Sequence, residues 1–221
     1  IEMMGYDWAD SLVHVPYGLV SLDGEKLSTR NGNIIYAEDI LREAIRRAEA
    51  AVLEKNPHLE NKDEVARMVG VGAVIFHDLY NQRIKNINFS WKEALSFDGS
   101  TAPYVQYTYA RAKSVLRRHG KAVDLDLADC SLLADSVSYS LVKILDGYED
   151  AIKSAADKYE PSIVARYVMS LAVAFNKFYH DCAILKAEEN VRQARLALTE
   201  IAQRVMRDGC GLLGIACPEK I

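Results

Sequence analysis

From residue 102 onward, nearly every segment of this 221-residue chain repeats its apolar side chains at helical spacing. That pattern leaves little room for anything but packed helices. The spacing predicts helices over about 102–119, 131–157, 161–184 and 188–208. Pro161 sits where a first turn tolerates a missing N–H, and Gly209 falls just past an expected helix end. Only twelve glycines and five prolines occur, too few turn residues for a many-stranded β-protein. The expected fold is mainly α. Apolar residues make up 50% and charged residues 26%, which excludes a disordered or collagen-like chain.

The uninterrupted apolar-plus-glycine run at 69–76 is far short of a membrane span. Glu2, Asp7 and Asp10 break the layout of a signal peptide, so a cytoplasmic location is expected. Cys130, Cys182, Cys210 and Cys217 show no CxxC spacing and no neighbouring His pair. They read as reduced, partly buried thiols, with no metal site.

Ahead of residue 102 the organisation differs. Leu12-Val13-His14-Val15 and Gly18-Leu19-Val20 are β-prone, and Asp23-Gly24 is a hairpin signal. Residues 12–36 therefore read as strand, turn and strand, followed by a loop. Ile40, Leu41, Ala44, Ile45 and Ala48 then repeat at helical spacing until Asn56-Pro57. A second helix is expected over about 63–80, with Val65, Met68, Val69, Gly72 and Phe76 inward. Residues 81–100 read as irregular or extended, closing on the turn Phe97-Asp98-Gly99-Ser100.

The formal net charge of −4 conceals an asymmetry. Residues 80–121 carry eight basic side chains against two acids, Glu93 and Asp98, and no acid occurs over 99–123. Such a confined basic patch suits a polyanion docking on one face; a solvated helix surface is the alternative.

Two constellations carry chemistry. In the first, Lys26 and Arg30 bracket Ser28 and Thr29, with Gly24 and Gly32 able to hinge the segment. A loop of this kind can close over phosphates, or be no more than an exposed turn. It is not a Walker loop, and Gly70-Val71-Gly72 lacks the third glycine of a dinucleotide fingerprint. The second is the helix beginning Thr101-Ala102-Pro103-Tyr104. At 100° per residue, Val105, Tyr109, Ala112 and Leu116 share a core stripe, and Tyr104, Tyr107, Arg111, Ser114 and Arg118 share another. The second stripe offers aromatic faces and cations, the combination that holds unpaired RNA bases. Alternatively, its tyrosines cap the core and its arginines are solvated.

These residues sit in motifs that resemble a known family. His14-Val15-Pro16-Tyr17-Gly18 followed by Asp23-Gly24-Glu25-Lys26-Leu27-Ser28-Thr29-Arg30 resembles the strand and KMSKS-type loop of the arginyl-tRNA synthetases, which are class I aminoacyl-tRNA synthetases. Ser96-Phe97-Asp98-Gly99-Ser100-Thr101-Ala102-Pro103-Tyr104-Val105-Gln106-Tyr107 resembles the opening of their anticodon-binding domain. Phe175-Asn176-Lys177-Phe178-Tyr179-His180-Asp181-Cys182 and Ala194-Arg195-Leu196-Ala197-Leu198 resemble helices of the DALR domain, and Pro218-Glu219-Lys220-Ile221 resembles the family's C-terminus.

The resemblance implies a division into two parts. Residues 1–98 would be the C-terminal edge of a class I nucleotide-binding α/β catalytic domain, with a β-hairpin, the KMSKS-type loop and helices that contact the tRNA stem. Residues 99–221 would be a DALR-type helical bundle that binds the anticodon arm. The implied activity is ATP-dependent arginine activation and transfer to tRNA(Arg), with Mg2+ expected in the full-length enzyme. Lys26 and Arg30 would supply charge to the pyrophosphate, and Ser28 and Thr29 would supply donors. Thr29 stands where the motif has its second lysine, so that charge must come from elsewhere. Asn176, Tyr179 and Ile221 match positions near the anticodon.

No H-x-G-H sequence accompanies the five histidines, so the expectation is an N-terminally truncated chain that does not activate arginine alone. A monomer is expected, without a membrane partner. His180-Asp181-Cys182 is not expected to form a catalytic dyad, because adjacent helical residues diverge. His58, His77 and His119 read as surface or structural residues. Two other readings are the anticodon-binding part of a cysteine-type class I synthetase and a helical protein-interaction module with no RNA role.

Overall fold

A computed structural model describes residues 1–22, 24–26, 36–126 and 128–221, with the backbone alone for Glu25 and Lys26. Two 3-10 turns, Glu2–Met4 and Ala9–Ser11, lead into extended chain. The expected strand over 12–15 does not form. Leu12, Val13 and Val15 are exposed, and no described strand lies beside them to complete a ladder. Pairing begins at β1 (Val20–Leu22), which runs antiparallel to β2 (Glu25–Lys26) and parallel to β3 (Ile87–Phe89). Gly24 turns the hairpin at φ +87°, a conformation that favours glycine. Asn88 of β3 secures that turn: its Oδ1 accepts from the Gly24 N–H at 2.7 Å and from the Ser21 hydroxyl at 3.1 Å.

Helices α1 (Ala37–Lys55) and α2 (Lys62–Leu79) pack against each other. Their small residues let them approach closely, and Ala48, Val52, Leu59, Val65 and Val69 form a core of their own. Leu95, Phe97 and the distant Ile221 pack onto that core. A short helix, α3 (Trp91–Ala94), follows β3.

The bundle begins with α4 (Ala102–His119), whose bounds are those the sequence predicts. Thr101 caps it, accepting from the Tyr104 N–H at 3.2 Å while its hydroxyl donates to the Ser96 carbonyl at 2.6 Å. Gly120 closes the other end in the left-handed conformation at φ +74°. The remaining helices are α5 (Ser136–Asp146), α6 (Tyr148–Asp157), α7 (Ser162–Asp181) and α8 (Glu189–Leu212). Leu141, Val168, Leu171, Phe175, Leu196 and Met206 anchor their common core.

Two expected helices need correction. The segment 131–157 is not one helix but a 3-10 turn, Cys130–Leu133, followed by α5 and α6. Asp135 causes the first break: its carboxylate accepts from the N–H groups of Val137 and Ser138 and from the Ser138 hydroxyl, so a new helix starts there. Gly147 separates α5 from α6. Asp135→Ala is expected to destabilise the protein by about 1 kcal/mol, measured by thermal or urea denaturation.

The second correction concerns Gly209, which does not lie past a helix end. It is buried within α8, where a Cβ would come 2.5 Å from Cγ2 of Val168 on α7. Its role is close helix packing.

Candidate nucleic-acid interface

The outward stripe of α4 meets the last turns of α7 and the C-terminal tail. Tyr107, Arg111, Ser114, Arg118, Tyr179 and Ile221 line one hollow of about 350 Å³. The residues come from three separate stretches of sequence. A neighbouring hollow of about 270 Å³ is lined by Tyr104, Asn176 and Phe97, and shares Tyr107 and Arg111 with the first.

Arg111 stands at the boundary between them. Its guanidinium lies 5.0 Å from the ring centres of both Tyr107 and Tyr179. It donates to Oδ1 of Asn176, whose amide donates in turn to the Thr108 hydroxyl at 2.7 Å. Thr108 donates to the Tyr104 carbonyl at 2.8 Å, which ties the chain of bonds to the start of α4. The cation is therefore held by two aromatic faces and a hydrogen-bonded chain. Arg118 has no ion-pair partner among the described residues and stands exposed at the helix end.

Side chains of α4 hold the C-terminal tail in place. Gln106, wholly buried on α4, donates from one amide nitrogen to the carbonyls of Met68 at 3.0 Å and Ala216 at 2.7 Å. Gly72 makes room for that side chain, since a Cβ there would lie 2.8 Å from the amide nitrogen. Farther on, Lys113 pairs with the Glu219 carboxylate at 3.0 Å, and Arg117 donates to the Glu219 carbonyl at 3.0 Å. The Lys113 ammonium holds the Glu219 carboxyl below the usual carboxylate range. These bonds carry Ile221 to the rim of the hollow and onto the α1–α2 core.

The structure thus brings together every residue expected from the sequence to face the anticodon arm, in two adjoining hollows. It also adds residues that sequence reasoning missed. Lys55, Asn56, Arg117 and Lys220 line the same hollows. Arg117 belonged to the acid-free segment and was within reach of a charge argument. Lys55 and Asn56 close α1, and no sequence pattern links that end to α4.

The phosphate-loop set is different. Lys26 is placed in β2 by its backbone, while Ser28, Thr29 and Arg30 lie outside the described residues. His180 is exposed and Cys182 is buried near Ser138 and Asp135, so the two do not converge. His77 contacts the Asn88 carbonyl at 3.3 Å and meets the Phe89 ring edge-on, as a structural histidine. The four cysteines are free thiols; Cys182 and Cys210 are buried. Among the described residues, no cluster of three His, Cys, Asp or Glu side chains could hold a metal ion, and no helix is long and apolar enough to cross a membrane.

Residues 105–221 match the DALR anticodon binding domain, and residues 1–91 match the catalytic domain of tRNA synthetases class I (R). The chain is similar over its whole length to arginine–tRNA ligases of Halothermothrix orenii, at 49% identity, and Clostridium botulinum, at 48%. It spans 39% of the length of each. Among solved structures it is similar to arginyl-tRNA synthetase of Thermus thermophilus, with a TM-score of 0.87 and 38% identity over 94% of this chain and 35% of that one. The enzyme of Plasmodium falciparum shares the fold at 21% identity, with a TM-score of 0.81 over the whole of this chain and 38% of that one.

Proposed function

The chain belongs to the DALR anticodon-binding family, joined to part of a class I (R) synthetase catalytic domain, and on that premise we propose that it is the C-terminal part of an arginine–tRNA ligase that binds the anticodon arm of tRNA(Arg). The observation that carries this reading is the hollow where α4, α7 and the tail converge. Its lining is polar and cationic, with Tyr107 and Tyr179 each 36–37% exposed and so open to stacking by unpaired bases. Arg118 and Lys220 suit the flanking phosphates. Ser114 and Asn176 offer hydrogen bonds to base edges.

In the complete ligase, ATP with Mg2+ would meet the segment that begins at Lys26. Lys26 and Arg30 would neutralise the pyrophosphate leaving group, and Ser28 and Thr29 would donate hydrogen bonds to it. The division of labour follows 1–98 for the catalytic edge and 99–221 for the anticodon arm. A cytoplasmic, monomeric enzyme fits this role.

The protein-interaction alternative would leave the cationic stripe without a ligand, and it predicts no preference among nucleic acids. Electrophoretic mobility of tRNA(Arg) against a noncognate tRNA tests the proposal. Retention of tRNA(Arg) at low salt, lost as salt rises and weaker for the noncognate tRNA, is the expected result. Equal retention of both tRNAs, or of neither, would refute it.

A further inference from the structure

Arg83 lies in the connection between α2 and β3, half-buried and away from the cationic hollow. Its guanidinium donates to three main-chain carbonyls in two distant segments: Nη1 to Pro16 at 3.1 Å, Nε to Tyr159 at 2.8 Å and Nη2 to Lys158 at 3.2 Å. Its own carbonyl accepts from the Gly18 N–H at 2.7 Å. Three planar N–H groups aimed at three carbonyls are something a lysine cannot reproduce.

The two segments are the informative part. Pro16 and Gly18 immediately precede β1 and the hairpin that leads to Lys26. Gly18 presses so closely on the 83–86 stretch that a Cβ would meet the Lys85 carbonyl at 2.1 Å. Leu19 continues the clamp, donating to Oδ1 of Asn86 at 2.9 Å and accepting from the Ile87 N–H at 2.8 Å. On the other side, Lys158 and Tyr159 form the turn between α6 and α7, where Tyr159 holds a positive φ of 50° that a tyrosine rarely adopts. From that turn α7 (Ser162–Asp181) runs on past Asn176 and Tyr179, which lie in its last turns. At the helical rise this is a rod of about 20–25 Å between the Arg83 clip and the tRNA hollow.

We propose that Arg83 is a positioning residue that fastens the main chain ahead of the nucleotide loop to the base of α7. The helical domain thereby fixes the chain at 16–19 from which β1 and the hairpin to Lys26 depart. This rests on the ligase reading above, and concerns the placement of the loop rather than contact with substrate. Removing the clip leaves the hollow intact and releases the chain ahead of β1, so the loss falls on turnover and not on tRNA affinity.

The test is arginine-dependent ATP–pyrophosphate exchange by the complete ligase, with tRNA(Arg) varied up to saturation and rates referred to titrated active sites. Arg83→Ala is expected to lower kcat about 100-fold while KM for tRNA stays within about twofold, the penalty of a misplaced catalytic segment. Arg83→Lys, which retains charge and one bond, recovers only a minor part, and added guanidinium restores activity to Arg83→Ala. A purely structural role would lower the titrated active fraction and the melting temperature with kcat per site unchanged; that result overturns the proposal. So does a loss carried by KM alone. Should Arg83→Ala not fold, Arg83→Lys must show the same split between kcat and KM. Absence of exchange in the wild-type ligase would instead overturn the function itself, and Arg83's role with it.

Discussion

Arg111→Glu in the complete ligase is expected to raise Kd and KM for tRNA(Arg) about 30- to 100-fold, equivalent to about 2–3 kcal/mol, with kcat at saturating tRNA little changed. The size follows from how many interactions converge on one side chain. Its guanidinium lies 5.0 Å from the ring centres of both Tyr107 and Tyr179 and donates to Asn176. A carboxylate there would face the electron-rich ring faces and the Oδ1 of Asn176, and it would repel the RNA backbone. The wall shared by the two hollows would therefore lose both its shape and its sign.

Arg111→Lys separates the two contributions. It keeps the charge but not the planar fork that fits between two rings, so an intermediate loss is expected. Filter binding over a salt series reports the charge part, because each lost phosphate contact flattens the dependence on log salt by about one unit or less. An unchanged binding curve for Arg111→Glu would mean that the stripe is not an RNA face.

Most of that face was legible in the sequence because it lies on one helix with strong end signals. Thr101 and Pro103 mark the start of α4, Gly120 marks its end, and a fixed angular step does the rest. What sequence reading could not supply is what closes the face from other elements. Lys55 and Asn56 reach it only because α1 packs on α2, which packs on α4. Ile221 reaches it because Gln106 and Lys113 pull the tail across. The break at Asp135 was missed for a different reason: apolar periodicity continues on both sides of it, and only the carboxylate's bonds to Val137 and Ser138 reveal a cap. Residues 12–15 show the converse failure, where β-propensity exists but no described strand stands beside it to receive the hydrogen bonds.

Glycine chemistry gives the second large effect, and it reverses sign between two sites. Inside an ordinary helix, Gly→Ala stabilises by about 0.5–1 kcal/mol, because alanine has less backbone freedom to lose. Gly211, in the last turn of α8, keeps part of that gain, with nothing within 4 Å of the place an alanine methyl would take. Gly211→Ala is expected to raise the denaturation midpoint. Gly70 in α2 is the opposite case. A Cβ there would lie 2.7 Å from the Ile45 nitrogen and 2.8 Å from the Ala44 carbonyl group, all main-chain atoms of α1. Backbone cannot rotate aside as a side chain can, so α1 and α2 must separate. The gap would open the core of Ala48, Val52, Val65 and Val69, on which Ile221 also rests. Gly70→Ala is therefore expected to destabilise by about 1–3 kcal/mol despite the helix-propensity gain, since overpacking outweighs it. Urea denaturation of the two variants side by side decides the matter. A Gly70→Ala protein as stable as the parent would show that the α1–α2 approach is not as close as the backbone geometry requires.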